Sequence, residues 1–308
     1  MGVQDNNKVE LVYLSPDPAR CDYRHAGNVE LLALLDREEF DVVRIVCADV
    51  RADDANVGDV DVIVNAVCDP DTNSRALHIV ASVQSQLGAP IVNRPERVLE
   101  TTRDQVAKAL AAIPGVRVPT TARIRPQRRD DVLPLAAAAG VYPPLLVREA
   151  GTHGGNSLVL VEDYRDLDGL ERFAFDGRHL YVSEFVDFRS PDGVFRKYRV
   201  LVVEGVPYPR HMIASPHWNV HFRDRKLLMD GRPELQDEER AFLTTFSPER
   251  HSVFGTMASA LGLDYFGVDF ALDWRGTVIL FEANCCFKLV SEDDELGADS
   301  YHTAWLQQ

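Results

Sequence analysis

Asp269, Glu282 and Asn284 carry oxygen donors at a spacing that can bring all three to one point. In the stretch LGLDYFGVDFALDWRGTVILFEANCCF (Leu261 to Phe287), GVDFAL alternates as a strand does, Asp-Trp-Arg-Gly is a turn, and TVILFEAN alternates again. Residues two apart share a strand face, which puts Glu282 beside Asn284, while Asp269 can oppose them from the neighbouring strand. Two carboxylates and an amide oxygen are donors that magnesium takes, with water and nucleotide phosphates completing its octahedron. The competing reading is a half-buried hairpin with acids on its wet face, the usual meaning of an isolated acidic pair.

The flanking segments must position this hairpin. HSVFGTMASALGL, just before it, has the apolar spacing of an amphipathic helix. YPPLLVREAGTHGGNSLVLVED reads as strand, glycine-rich loop, strand: Gly151, Gly154 and Gly155 let backbone N–H groups approach phosphate oxygens, and Thr152, His153 and Ser157 add donors. Most such loops are only turns. HLYVSEFVDF is a further strand, and GVFRKYRVLVVEGVPYPRHMIAS is two strands around a Glu-Gly turn. That turn separates Arg199 from Arg210, whose planar forks suit phosphate or carboxylate. An exposed basic strand face is the alternative for Arg196, Lys197 and Arg199.

Taken in order, these motifs resemble those of ATP-grasp enzymes over roughly Leu99 to Phe287, and more loosely over the N-terminal third. The resemblance implies an α/β and α+β ATP-grasp fold with an N-terminal parallel α/β lobe. It divides the chain into that lobe (1–98), a linker helix and central lobe with the glycine-rich loop (99–187), and a C-terminal lobe with the metal site (188–308). It implies ATP with Mg2+, or Mn2+ in its place, bound through Asp269, Glu282 and Asn284. Arg148, Gly151, Thr152, His153, Gly154 and Gly155 would then face the phosphates, Glu184, Phe185 and Val186 the adenine edge, and Asp187 or Asp192 the ribose. Arg199, Arg210 and Lys197 would be the catalytic cations.

The reaction implied is ATP-dependent joining of a small carboxylate to an amine through an acylphosphate, releasing ADP and phosphate. A kinase using the same grasp, or a nucleotide-binding protein without turnover, are the alternatives. The chain departs from the family pattern at three places: Arg148 and Gln105 stand where lysines are expected, and Cys285, Cys286 and Phe287 follow Asn284 in place of Pro-Gly. The partners implied are small-molecule acid and amine substrates, and a homodimer through the N-terminal lobe would match many relatives.

A net charge of -15 over 308 residues argues against nucleic acid or an anionic membrane as partner. The 45% hydrophobic and 26% charged composition is that of a soluble globular protein. Five cysteines without repeating spacing are not a secreted disulfide framework, and adjacent Cys285 and Cys286 suit packing or pocket lining better than catalysis. MGVQDNNKVE lacks a signal pattern and no apolar run is of membrane-spanning length, so a cytoplasmic location is expected.

Along the chain, VELVYL, NVELLALLD, VVRIVCA, VDVIVNAV, RALHIVASVQSQLG and PIVNRP alternate strand and helix signals, which predicts a small parallel sheet. No G-x-G-x-x-G follows the first strand, which excludes the usual dinucleotide site. Asn65, Cys68, Asp69 and Asn73 fall where an open sheet presents ligand contacts, against a helix cap at Asp71 or Thr72. A helix is expected over Glu96 to Ile113, then VRVPTTARI as a strand and VLPLAAAAG as a helix. Residues 222–250 read as a charged insertion with a helix, a surface element or lid from which Arg223, Arg225 or Lys226 could reach the phosphates. HWNVHF alternates His217, Trp218, Asn219 and His221 like a strand, and Tyr301, Trp305 and Leu306 mark a short terminal helix.

Overall fold

Pro119 divides what the sequence pattern reads as one strand. Proline has no N–H for a ladder and restricts the residue before it, and here Val116–Arg117 and Thr121–Ile124 join two different sheets. The computed structural model describes residues 12–14, 21–23, 38–43, 45, 47, 59–153, 155, 157–221, 223–246 and 248–286. NVELLALLD, Gly154, Phe287 and the expected terminal helix lie outside the described residues.

The fold is mixed α/β. An antiparallel pair, β1 (Val12–Leu14) and β2 (Cys21–Tyr23), comes first. Two short parallel strands, β3 (Ile63–Val64) and β4 (Ile91–Val92), are joined by helix α1 (Ser74–Leu87), as the alternating signals predict. Ala76, Leu77, Val80 and Val83 bury one face of α1, and Gly88 ends it in the left-handed conformation that glycine adopts freely. The helix expected from Glu96 is two: α2 (Pro95–Leu99) and α3 (Arg103–Leu110), separated at buried Thr101 and Thr102. The Thr101 hydroxyl donates to Val98 O at 2.7 Å in the break. After β5 (Val116–Arg117) and β6 (Thr121–Ile124) come α4 (Val132–Ala138), β7 (Leu145–Glu149), β8 (Val159–Val161) and β9 (Leu180–Glu184).

The smaller sheet has the order β6-β9-β7-β8 and is antiparallel throughout. Its core, with Val132, Leu145, Val161, Leu170 and Leu180, is drawn wholly from this part of the chain. The larger sheet runs β11 (Val206–Ser215), β10 (Phe195–Val203), β12 (Tyr265–Leu272), β13 (Val278–Asn284), β5. Glu204 and Gly205, both at positive φ, make the β10–β11 turn. Leu77, Val106, Leu110, Val200, Phe254, Phe266 and Phe270 share the larger core. No helix among the described residues is long and apolar enough to cross a membrane.

Two expectations are corrected by this core. The described part of HWNVHF, His217 to His221, is a loop after β11, not a strand. The insertion is an element of the core rather than a lid: α5 (Pro233–Thr244) buries Leu235, Glu239, Phe242 and Leu243, at the i, i+4, i+7, i+8 spacing of one helix face. Arg225, in a π-helical turn before it, does not reach a phosphate site, because its guanidinium is buried against Glu239 through bonds of 2.6 and 2.5 Å. Helix α6 (Pro248–Leu261) then leads into β12.

Asn93 joins the N-terminal strands to β12. Fully buried at a φ of 57°, it donates its amide to Tyr265 O (2.9 Å) and accepts from the N–H groups of Asp264 (2.8 Å) and Tyr265 (3.2 Å). Its own N–H reaches the Asp264 carboxylate at 2.6 Å. Asn93→Ala strips these partners inside the protein, so unfolding in urea should show a loss of roughly 2–4 kcal/mol. A change below about 0.5 kcal/mol, the usual size for an uninvolved position, would reject this account.

Candidate functional site

The two sheets meet at two neighbouring chain crossings, 118–120 and 185–188. Thr120 O accepts the Glu184 N–H at 2.8 Å, and the Glu184 carboxylate accepts from Arg117 at 2.8 Å. A cleft of about 230 Å³ opens between the sheets at this junction. Val118, Leu146, Phe185, Val186, Trp218 and Leu280 give it an apolar part. Phe185 and Trp218 pack edge to face there, centroids 5.8 Å apart.

The hairpin delivers its acids as the alternation predicts. Asp269 and Glu282 stand directly opposite in the β12–β13 register, and both line the cleft with Asn284. A bulge follows: Asp269 pairs with Glu282 but Phe270 with Leu280, so Phe281 is the extra residue and it too lines the cleft. The wet-face reading fails at Asp269, which is only 6% exposed. Burial alone would raise its pKa, but Arg199 and Lys197 hold it below the usual carboxylate range. Arg199 grips both oxygens, at 2.5 and 2.8 Å, and Lys197 Nζ lies 3.5 Å away. Glu282 is part-buried and also ionised: desolvation would raise its pKa, but Arg103 and His153 hold it well below its ordinary value. Asn284 donates its amide N–H to Glu282, and its carbonyl accepts from Cys286 N–H at 2.8 Å.

Arg103, which sequence reasoning passed over in favour of Gln105, is a cation of this site. It sits on the first turn of α3 and reaches Glu282 Oε1 at 2.5 Å. Arg148 enters from β7 on the other sheet and bonds Thr152 O. Its pKa is lowered to about 10, first by burial and then by the like charge of Arg103. Its Nε is buried without a hydrogen-bond partner among the described residues. A buried donor left unmatched beside a second guanidinium suits an anionic ligand. Arg103, Arg148, Lys197 and Arg199 outnumber the three carboxylates lining the cleft, Glu184, Asp269 and Glu282.

The glycine-rich loop lies over this end. Gly155, at a φ of +70°, lines the cleft, and a Cβ there would fall 2.3 Å from His221 Cε1. Gly151, at +71°, packs against Thr72. The Thr152 hydroxyl donates to Glu149 O at 2.6 Å and accepts from Ser157 at 2.8 Å, ordering the loop's own turn. His153 places Nε2 3.1 Å from Asp69 Oδ2 and Nδ1 3.7 Å from Glu282 Oε1. The two acids raise the pKa of this exposed imidazole to about 9.

Not every expected residue converges. Asp187 closes a local turn by accepting the Arg189 N–H, and Asp192 pairs with Arg196; neither lines the cleft. Arg210 is outside the lining as well. It is the extra residue of a second bulge, where Arg199 pairs with His211 and Val200 with Pro209, and burial followed by the nearby Arg199 charge lowers its pKa. Of the adenine-edge residues, Glu184 and Phe185 commit their N–H groups to Thr120 O and Pro144 O. The Val186 N–H makes no hydrogen bond among the described residues. Asp71, considered as a helix cap, instead accepts from Tyr181 at 2.8 Å and pairs with Arg123.

No family model matches the sequence, and no curated protein matches it. Among solved structures, a RimK domain ATP-grasp protein from Sphaerobacter thermophilus is similar at 16% identity and a TM-score of 0.48, over 81% of this chain and 80% of that one. A D-alanine–D-alanine ligase from Bacillus anthracis, solved with ATP, is similar at 15% identity and a TM-score of 0.49, over 83% and 78%. The ATP-grasp ligase PsnB, complexed with a precursor variant, Mg and ADP, is similar at 14% identity and 0.42, over 76% of this chain and just under two thirds, 66%, of its own.

Proposed function

We propose that the chain is an ATP-grasp ligase that joins a small carboxylate to an amine at the expense of ATP. The observation that carries this reading is the meeting of two ionised acids, Asp269 and Glu282, with four cations under a glycine-rich loop in one cleft. The residues present fit Mg2+ and ATP. Asp269 and Glu282 supply hard oxygens for the metal, with Asn284 beside them, and Arg148 brings its unmatched donor to the phosphates. Phe185, Val186, Trp218 and Leu280 offer an apolar wall for a base, with the Val186 N–H as an edge donor. When bound, the metal neutralises charge on the transferring phosphoryl group.

The chain's own side chains have three tasks. Arg103, Arg148, Lys197 and Arg199 hold phosphate charge in place and stabilise its build-up as the substrate carboxylate attacks the terminal phosphorus and ADP leaves with the bridging oxygen. The glycine-rich loop excludes water, so that the resulting acylphosphate meets the amine and not hydroxide. The amine displaces phosphate through a tetrahedral intermediate, and no residue has to form a covalent bond. Asp269 and Glu282 recruit arginines and a lysine in the free chain, so the cations are already gathered where the phosphates would come.

The test is a screen of amino acids in pairs with ATP and Mg2+, following phosphate release and product mass. Release that needs both an acid and an amine, with an amide product, supports the ligase. A phosphorylated product from a single substrate would make the chain a kinase and overturn it. A local prediction goes with this reading. Gly155→Ala adds a methyl at positive φ against His221, a backbone penalty of roughly 1–2 kcal/mol, and should raise the KM for ATP about tenfold while lowering Tm by roughly 2–8 °C. An unchanged KM would remove Gly155 from the phosphate loop.

A further inference from the structure

Three side chains that the proposed mechanism does not use meet beside the cleft. Asp69 follows β3, His153 is in the glycine-rich loop, and Cys286 is just beyond β13, yet their ligand atoms lie within 4.8 Å of one another. Asp69 is 8% exposed and already oriented, with one oxygen on the Asp71 N–H and the other on the Thr72 hydroxyl, both at 2.8 Å. A further sulfur adjoins one of them: Cys68 Sγ lies 3.1 Å from Cys286 Sγ, outside the group of three whose ligand atoms are all within 4.8 Å. The sulfur–sulfur separation is far from the ~2.05 Å of a disulfide. A tetrahedral zinc with Zn–S near 2.3 Å holds two sulfurs roughly 3.8 Å apart, a small opening from the observed separation.

We propose that Asp69, His153 and Cys286, with Cys68 as fourth ligand, form a binding site for one tetrahedral zinc ion. Imidazole, thiolate and carboxylate are the donors zinc takes, whereas the oxygens of Asp269 and Glu282 suit magnesium. Ligation through His153 Nε2, the nitrogen facing Asp69, leaves Nδ1 toward Glu282, the arrangement in which a carboxylate orients a metal-bound imidazole. Cys285 has no part in the site, since its thiol turns to Tyr265 O and the Asn93 amide. Zinc would fasten the glycine-rich loop to the N-terminal strands and to the end of β13 with no nucleotide bound.

The test is a titration of the whole chain, stripped with a chelator and kept in a non-thiol reductant, with cobalt(II) in the absence of nucleotide. The expected result is one cobalt per chain, with thiolate-to-cobalt charge transfer and the intense visible bands of a tetrahedral site, displaced by one equivalent of zinc. Cys286→Ser and His153→Ala should each weaken binding about a hundredfold or more, beyond the 10–100-fold typical of residues behind the ligands. Cys68→Ser should halve the charge-transfer intensity. Asp69→Asn repeats the test with a change that leaves the thiols in place, and a thermal melt confirms that each variant is folded. Asp269→Asn, which removes a magnesium ligand, should leave the cobalt bands intact, so failure here is distinct from failure of the ligase reading. A pale six-coordinate spectrum that Cys286→Ser does not alter would overturn the proposal. So would a Cys68–Cys286 disulfide in the isolated protein with no metal uptake after reduction.

Discussion

Glu282→Gln is expected to lower ATP-dependent phosphate release by about a thousandfold, the equivalent of roughly 4 kcal/mol of transition-state stabilisation. The carboxylate faces Arg103 at 2.5 Å and stands opposite Asp269 in the register. The amide keeps the shape but loses the charge that the proposed metal site requires, and it leaves Arg103 and His153 without their anion. Because the site opens on a cleft, the Tm should change little. The measurement is a magnesium titration of phosphate release in the variant and the parent. Full turnover at the parent's magnesium dependence would mean that the metal is held elsewhere.

Glu239→Gln is expected to have the largest effect on stability, about 3–5 kcal/mol, because it leaves the buried Arg225 charge without its counter-ion. Glu239 is fully buried, takes both Arg225 bonds, and also accepts the Met212 N–H at 3.1 Å. For a protein of this size such a loss lowers Tm by on the order of 10 °C. Replacing both partners with methionine should recover most of it, since removing a buried pair costs far less than breaking it. Calorimetry on the single and double variants checks this. A single variant that melts within about 1 °C of the parent, where 1 kcal/mol already moves Tm by ~2–4 °C, would show that the pair contributes nothing.

The hairpin of Asp269 and Glu282 was legible because strand alternation and an Asp-x-x-Gly turn are local signals, and Asp273 closes that turn by accepting the Arg275 and Thr277 N–H groups at 2.8 Å. The bulge at Phe281 was not, since a register slip depends on the partner strand. Arg103 was missed because a helix face is fixed only once the helix start is known, and the break at Thr101 and Thr102 rotates α3 relative to a continuous helix. Pro119 was a visible signal that one predicted strand was two. The burial of α5 is legible in the spacing of Leu235, Glu239, Phe242 and Leu243, although the charge of the surrounding segment points to a surface element. Asp187 and Asp192 were chosen by position alone, and each satisfies its own turn instead.

The paired crossings at 118–120 and 185–188, clasped through Glu184, Arg117 and Thr120, set how the cleft can widen. Two strands pinned side by side leave the smaller sheet one easy freedom, a swing about the line joining them. Such a pivot moves distant points most, so the lip at Gly155 would travel furthest while the wall at Phe185 stays nearly still. A base would therefore dock against a fixed surface as its phosphates come under a moving one. Spin labels at Arg165 and Lys226 should report a nucleotide-dependent change in separation, and an unchanged distance would refute the swing.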